Sequence, residues 1–344
     1  MDGAVNETRQ LGIVVIGRNE GERLKRCLQS LPVDLPVVYV DSGSTDGSVE
    51  FARSVGVEAI DLDMSVPFTA ARARNVGWRH LCKIRPTIEF VQFVDGDCEL
   101  HVGWIACAEK ALSSEPKAAA VFGRLRERFP ERSLYNRICD REWDIPVGKA
   151  DHCGGNSMMR LSALQAVEGF RDDLIAGEEP DLCLRMRQQG FHVRRIDCEM
   201  GLHDAAMFTF RSWWNRTKRS GLAYAEHIIR HGNNSIKTWR RQLASILVWS
   251  LVIPLIIIAI LIVVWSFNIM VIPIFLAVMF LIYGLQIVRI AIRKFFVGEA
   301  LGFAVASAAL LVLGKLPQFL GVLTCLSNHV FQRTHTVIEH RQGM

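Results

Sequence analysis

The chain has 344 residues, room for one large domain or two modest ones. Its net charge of +5 is too mild for a nucleic-acid binder, and no basic run is long enough to form a tail. Nine cysteines, an odd number without a C-x-x-C pair, speak against a disulfide framework or a zinc site and for reduced cytosolic thiols. The polar first residues lack the apolar core of a secretory signal, so none is expected. Hydropathy is uneven along the chain: residues 1–240 read as a soluble domain, and the last hundred or so are dominated by apolar runs.

Gly12 to Ile16 is a short buried strand, followed by the polar loop Gly17-Arg18-Asn19-Glu20 and a helix through Leu24, Cys27, Leu28 and Leu31 that Pro32 stops. A second strand, Val37 to Val40, leads into Asp41-Ser42-Gly43-Ser44-Thr45-Asp46-Gly47, a loop of turn residues and helix caps ahead of a helix ending near Val55. A third strand (Val57 to Leu62) and a helix from Thr69 to Leu81 follow. The fourth strand, Phe90 to Val94, ends in Asp95-Gly96-Asp97. Alternation by two would send both aspartates to one side, with Gly96 allowing close backbone approach. Two hard oxygen ligands beyond a strand's carboxyl end suit Mg²⁺ or Mn²⁺ holding a phosphate. Strand and helix alternate four times, which predicts an α/β fold around a doubly wound, mostly parallel sheet.

Four of these segments, Ile16-Gly17-Arg18-Asn19-Glu20, Val40-Asp41-Ser42-Gly43-Ser44-Thr45-Asp46, Ala71-Arg72-Ala73-Arg74-Asn75-Val76-Gly77 and Val94-Asp95-Gly96-Asp97, stand in the order found in glycosyltransferase family 2. The chain resembles that family over residues 11–225. The resemblance implies a GT-A (Rossmann-like) domain in which Glu20 and Asp41 contact the base and ribose of a nucleotide-diphosphate sugar. It further implies that Arg74, Asn75 and Asp95 lie near the donor's phosphates and sugar, and that Asp97 holds Mn²⁺ or Mg²⁺. Gly154-Gly155-Asn156 and Gly177-Glu178-Glu179-Pro180-Asp181-Leu182 resemble the acceptor half, where Gly155, Asn156 and Glu178 would face the acceptor. Glu179 stands where the family has its catalytic base, an Asp there, and the family inverts anomeric configuration. Pro180 is tolerated in a first helical turn, and carboxylates are favoured there whatever their role. His203, after a strand at Phe191 to Ile196, would complete the metal shell by analogy; it could equally be an ordinary hydrogen-bonding histidine.

Between these blocks a helix at Trp104 to Leu112, a strand at Ala118 to Gly123 and a helix at Leu161 to Val167 are legible, whereas Arg124 to Asp151 has no clear period. Residues 208–242 interleave aromatics with cations, which fits either a helix on a membrane surface or one packed on the preceding domain; the apolar runs that follow favour the membrane. From Leu243 to Val288 no residue is charged, enough for two spans at 243–265 and 268–288 with a turn at Ser266, Phe267 and Asn268. Basic residues flank both ends: Lys237, Arg240 and Arg241 before, Arg289, Arg293 and Lys294 after. The positive-inside rule therefore puts the soluble domain in the cytosol of a multi-pass inner (plasma) membrane protein. Residues 300–326 form a third apolar run interrupted by Lys315 and Pro317, which reads as re-entrant or interfacial more readily than as a third span.

The organisation expected is thus an N-terminal tail (1–10), a catalytic domain (11–207), an interfacial helical region (208–242), a membrane region (243–326) and a tail (327–344) whose Arg333 and Arg341 return to the cytosolic side. Expected partners are the sugar-nucleotide donor, a lipid-linked or polysaccharide acceptor and membrane lipid, with no nucleic acid. A Gln-x-x-Arg-Trp motif, which processive members of the family carry, is missing; Trp239-Arg240-Arg241-Gln242 has the letters in another order. That points to single transfer. Two rival readings are a sugar nucleotidyltransferase, for which the first loop is poor in glycine and cations, and a non-catalytic scaffold, which has no use for converging carboxylates.

Overall fold

A computed structural model describes residues 10–265 and 271–331. The expected turn at Ser266, Phe267 and Asn268 and the tail bearing Arg333 and Arg341 lie outside the described residues, as does nearly all of the N-terminal tail.

Four strands, β1 (Leu11–Gly17), β2 (Val37–Asp41), β3 (Glu58–Asp61) and β4 (Phe90–Asp95), alternate with α1 (Glu22–Gln29), α2 (Ser48–Ser54) and α3 (Ala70–Ile84). β1 is apolar and buried along nearly its whole length, as a central parallel strand with both faces covered must be. It pairs in parallel with β2 and β4, and β3 extends this half beyond β2. The register sets Asp41 opposite Gly17 and Asp95 opposite Ile16, so both aspartates emerge beside the end of β1. Thr69 caps α3, accepting a hydrogen bond from the Arg72 amide at 3.0 Å. Gly77 brings α3 onto the sheet so closely that an added Cβ would stand 2.3 Å from Val14 Cγ1.

Beyond β4 come β5 (Cys98–Leu100), α4 (Trp104–Ser114), β6 (Ala118–Glu127), α5 (Leu134–Glu142), β7 (Gly148–Ala150), β8 (Ser157–Arg160), α6 (Leu161–Ala166), α7 (Glu178–Gln188) and β9 (His192–His203). The strand order is β3-β2-β1-β4-β8-β6-β9-β5, with β7 on β9. β8 enters antiparallel between β4 and β6, while β6 and β9 are parallel. The fold is therefore the predicted α/β domain, parallel in its first half and mixed in its second. Gln92, buried within β4, is satisfied by Trp104 Nε1, which donates to its Oε1 at 2.8 Å.

Two stretches run differently from their sequence signal. β9 continues past Ile196 to His203, because Gly201 lets β5 approach; an added Cβ there would lie 2.1 Å from the Glu99 carbonyl oxygen. The stretch Arg124 to Asp151 has no period because it holds the end of β6, the short α5 and the three-residue β7.

The C-terminal third is helical: α8 (Phe210–His231), α9 (Lys237–Leu247), a π-helical turn at Val248–Val252, α10 (Ile253–Trp265), α11 (Val271–Phe296), α12 (Leu301–Leu313) and α13 (Lys315–Val330). Among the described residues three helical runs, Lys237–Val263, Leu276–Phe296 and Leu301–Val330, are long and apolar enough to cross a membrane. The third is distinct, with 28% of its most apolar window buried in the protein against 11% and 6% for the others. Gly314 faces Trp213 and Thr217, Gly321 faces Lys218 and Leu222, and Cys325 reaches Glu226, so α13 lies alongside α8 and runs in the same direction. The backbones nearly touch: a Cβ on Gly221 or Gly321 would meet the Gln318 or Lys218 carbonyl oxygen at 2.0 Å. α8 is thus a packed helix rather than one resting alone on a surface. Its Trp213 is buried and stacks on Tyr135 at 6.1 Å between ring centroids. The aromatic and cationic mixture arises because one helix packs both on the sheet domain and on α13.

Candidate active site

The loops after β1 and β2 are laced together. The Asn19 amide donates to Ser44 Oγ at 2.8 Å, the Thr45 amide to Asn19 Oδ1 at 2.8 Å, and the Gly21 amide to Asp46 Oδ2 at 2.9 Å. Asn19 adopts φ 53°, a left-handed conformation that asparagine tolerates better than most residues. Glu20 lies against Gly96 and is bonded to Arg23 at 2.9 Å. Asp41 is buried and committed to its own loop: it accepts from Tyr39 Oη at 2.7 Å, from the Gly43 and Ser44 amides at 2.8 and 2.7 Å, and from Ser44 Oγ. Its carboxylate shapes the loop after β2.

Arg74 is the hub of the site. The guanidinium, 3% exposed, reaches Asp95 Oδ1 at 2.9 Å, Glu178 Oε1 at 3.1 Å and Glu179 Oε1 at 2.9 Å. It thereby ties α3 to the end of β4 and to the first turn of α7. Burial would loosen the proton on Arg74, but Glu179, Asp95 and Glu178 outweigh it and push its pKa up. Glu179 responds in the opposite sense to ordinary carboxylates. Burial and the adjacent Glu178 push its pKa from 4.5 to about 8, against the pull of Arg74. Gly177, at φ 83°, starts α7, and Pro180 falls inside its first turn as anticipated.

Asn156 and Gly155 stand behind this cluster. Asn156 accepts from the Asp95 amide at 3.0 Å and donates to Asp95 Oδ2 at 3.2 Å, which clamps the end of β4. A Cβ on Gly155 would lie 2.3 Å from Arg74 Nη2, so only glycine fits beneath the guanidinium. Both, expected on the acceptor side, support Arg74 and Asp95. Asn75 is likewise interior. It donates to the Phe170 carbonyl and to Asp172 Oδ1, both at 2.7 Å, and accepts from the Phe170 amide and Trp78 Nε1, which fills all four of its positions.

The two aspartates of Asp95-Gly96-Asp97 part company. Strand alternation ends at Asp95, because Gly96 and Asp97 form a turn, and the two carboxylates acquire different partners. Gly96 does make the expected close approach, its amide donating to the Ile16 carbonyl at 2.8 Å. Asp97 turns to the end of β9, where Cys98 pairs with His203 across the strands. His203 Nε2 is 3.1 Å from Asp97 Oδ2, and the ring packs on Trp143 at 4.5 Å between centroids. One donor atom each from Asp97, Cys98 and His203 fall within 4.8 Å of one another. Burial, then the charges of Asp97 and Asp95, hold the Cys98 thiol well above its ordinary pKa, and thus neutral.

The residues missed in the sequence are Cys98, Trp143 and the Asp181 cluster, in which Arg185 Nε and His231 Nε2 each lie 2.8 Å from the buried carboxylate. Trp143 sits in the aperiodic stretch and carried no signal. The i,i+4 spacing of Asp181 and Arg185 was readable.

With this geometry in place the chain can be compared with known proteins. Residues 12–167 match the family model described as glycosyl transferase family 2, and residues 150–282 that of glycosyl transferase family group 2. A pre-mycofactocin glycosyltransferase of Mycobacterium tuberculosis is 26% identical over 235 residues, 65% of this chain and 48% of that protein. The glycosyltransferase AglE of Haloferax volcanii is 22% identical over 212 residues, covering 58% of this chain and 68% of its own length. The chain thus spans about half the length of the mycobacterial relative. Among solved structures, the mannosyltransferase PcManGT from Pyrobaculum calidifontis, in complex with GDP-Man and Mn²⁺, superposes with a TM-score of 0.54 at 17% identity, covering 95% of this chain and 89% of that one. The likeness is one of fold. The two family matches together run from residue 12 to 282, through the sheet and the whole candidate site, and the chain belongs to glycosyltransferase family 2.

Proposed function

We propose that the protein transfers a sugar, with inversion, from a nucleotide-diphosphate sugar to the hydroxyl of a lipid-linked or polysaccharide acceptor at the cytosolic face of a membrane, one sugar per acceptor. The observation that carries this reading is Glu179, a carboxyl in the first turn of α7 held 2.9 Å from Arg74, which also grips Asp95 at the end of β4. Burial and Glu178 raise its pKa, which makes it a better proton acceptor once ionised. Glu179 would take the acceptor hydroxyl's proton as the acceptor oxygen attacks the anomeric carbon, with Arg74 fixing its rotamer and Glu178 completing the cradle. Glu20 and the laced loops after β1 and β2 would seat the nucleoside, and Asp95 and Arg74 would face the sugar and phosphates. The PcManGT complex with GDP-Man and Mn²⁺ supports a donor of this class.

A divalent ion fits the residues present. Asp97 and His203 offer a carboxylate and an imidazole within 4.8 Å, and His203 Nδ1 is buried with no hydrogen-bond partner, so the ring's orientation is set by Asp97 and Trp143. Oxygen and nitrogen donors suit Mn²⁺ or Mg²⁺. When bound, such an ion supplies Lewis-acid neutralisation of the departing diphosphate.

The basic flanks of the first two apolar helices support a multi-pass membrane protein with the sheet domain in the cytosol. α13 accompanies α8, whose Arg211, Arg216, Lys218 and Arg219 resist burial in hydrocarbon, which supports α13 as an interfacial rather than a crossing helix.

The test is incubation of the full chain in membranes or nanodiscs with a panel of UDP- and GDP-sugars, with and without Mn²⁺, and a polyprenyl-phosphate-linked or saccharide acceptor. Release of nucleoside diphosphate that is lost in Glu179→Gln supports the reading. Release of pyrophosphate when a nucleoside triphosphate and a sugar 1-phosphate are supplied instead would identify a nucleotidyltransferase, and no turnover with either substrate set a scaffold.

A further inference from the structure

We propose that Glu226, Cys325 and His329 form a second cation site, suited to Zn²⁺, which fastens α13 to α8. The three residues lie outside the candidate active site and belong to two helices far apart in sequence. Cys325 and His329 stand four residues apart on α13 and therefore share a face. Glu226 projects from α8 to meet them: Cys325 Sγ lies 3.3 Å and His329 Nε2 2.9 Å from the same oxygen, Glu226 Oε2. One ligand atom from each residue falls within 4.8 Å of the others.

The surroundings are those of a ligand set. The second carboxylate oxygen, Glu226 Oε1, is held by Arg230 Nε at 2.5 Å, and Arg230 is anchored in turn by Asp173. Outer partners of this kind orient a ligating carboxylate. Cys325 and Glu226 are buried, whereas the His329 side chain is 38% exposed. A sulfur, an imidazole nitrogen and a carboxylate oxygen are a donor set for Zn²⁺; Mg²⁺ and Mn²⁺ prefer oxygen and would be drawn to Asp97 instead. Binding requires the thiolate, so the Cys325 proton leaves to solvent as the ion enters. The near contact of backbones at Gly221 and Gly321 already holds the helices at the needed separation. The same α8 reaches α7 through His231 and Asp181, two residues beyond Glu179, so the staple would join the membrane region to the helix that carries the base.

The test uses the full chain in nanodiscs with Co²⁺ as a spectroscopic stand-in and Zn²⁺ as competitor, in an Asp97→Ala background that removes the first metal pair. The expected result is one Co²⁺ per chain with a thiolate-to-cobalt charge-transfer band, abolished by Zn²⁺ and by Cys325→Ser. His329→Gln should weaken Zn²⁺ at least about 10- to 100-fold, no less than loss of an outer partner costs. Zn²⁺ should also raise the melting temperature of the background chain but not that of the Cys325→Ser version. Absence of the band, or a band that survives Cys325→Ser because it arises at another thiol, overturns the proposal and leaves a hydrogen-bonded cluster. Should Cys325→Ser fail to fold, His329→Gln, at the exposed end of α13, carries the same reading.

Discussion

Arg74 and Glu179 form an ion pair of 2.9 Å that joins the middle of the sheet domain to the first turn of α7, across 105 positions of sequence (179 minus 74). Because Arg74 also holds Asp95 and Glu178, three carboxylates share one buried cation. One positive charge cannot neutralise three negative ones, and burial together with that excess leaves Glu179 reluctant to ionise.

Substitution separates the two adjacent acids. Glu179→Gln keeps the side chain's shape and removes its basicity, so turnover should fall about 10²- to 10⁴-fold, the range of general-base catalysis, with donor affinity unchanged. Glu178→Gln should cost much less in rate and shift the rise of turnover to lower pH, since it removes one of the negative charges that hold Glu179 protonated while Arg74 keeps Asp95 and Glu179. Steady-state rates across pH and donor titrations of the two variants decide between them; a dead Glu178→Gln beside an active Glu179→Gln would move the base by one residue.

The pH dependence follows from the same carboxyl. If Glu179 works as a base, turnover of the free enzyme should rise with pH through about 8, the value to which burial and Glu178 raise it. The linked stability runs the other way. A carboxyl whose folded pKa exceeds its unfolded value near 4.5 is better tolerated protonated, so its ionisation removes stability as pH climbs from about 4.5 to about 8, with no further loss above. Denaturation of Glu179→Gln across this window should show a shallower decline than the parent chain.

Arg74→Met should be harsher than either glutamate change. It removes the shared partner of Asp95, Glu178 and Glu179, and breaking a buried pair from one side costs about 3–5 kcal/mol. Denaturant unfolding measures this directly. Recovery of stability in the double variant Arg74→Met, Glu178→Gln would show that the loss comes from stranded negative charge and not from packing.

Metal dependence should reside in Asp97 and His203. Mn²⁺ should raise the melting temperature of the parent chain and have little effect on Asp97→Ala or His203→Ala, because only an ion bound to the native state stabilises it. An unchanged Mn²⁺ response in both variants would remove the ion from this position.

The path of the chain through the membrane is open to a direct check. With two crossings and α13 lying along α8, a reporter fused after Met344 should report the same side as the sheet domain. Gly321→Leu would drive a side chain into the Lys218 carbonyl, 2.0 Å from where its Cβ would stand, and should release α13 from α8, seen as new protease sensitivity in α8.

The amino-acid sequence by itself determined the order of strands and helices in the first hundred residues and the presence of long apolar helices in the last hundred. Those signals are local: buried parallel strands are continuous apolar runs, helices carry their own caps, and a bilayer demands about 20 apolar residues in succession. It also supplied the acidic turn after β4 and the acid pair at the start of α7, each of which is contiguous. What only the tertiary structure decided is which of these side chains meet. That Arg74 also holds residues 95, 178 and 179 was not legible, because nothing along the chain announces that they converge on it. Asp41 and Asn75 read as ligands by residue type, and only the fold shows that loop and helix packing also engage them. The same holds for α8, whose mixed aromatic and basic surface fits a membrane or a protein neighbour equally well. Periodicity records that a face is buried, and only the fold determines what buries it.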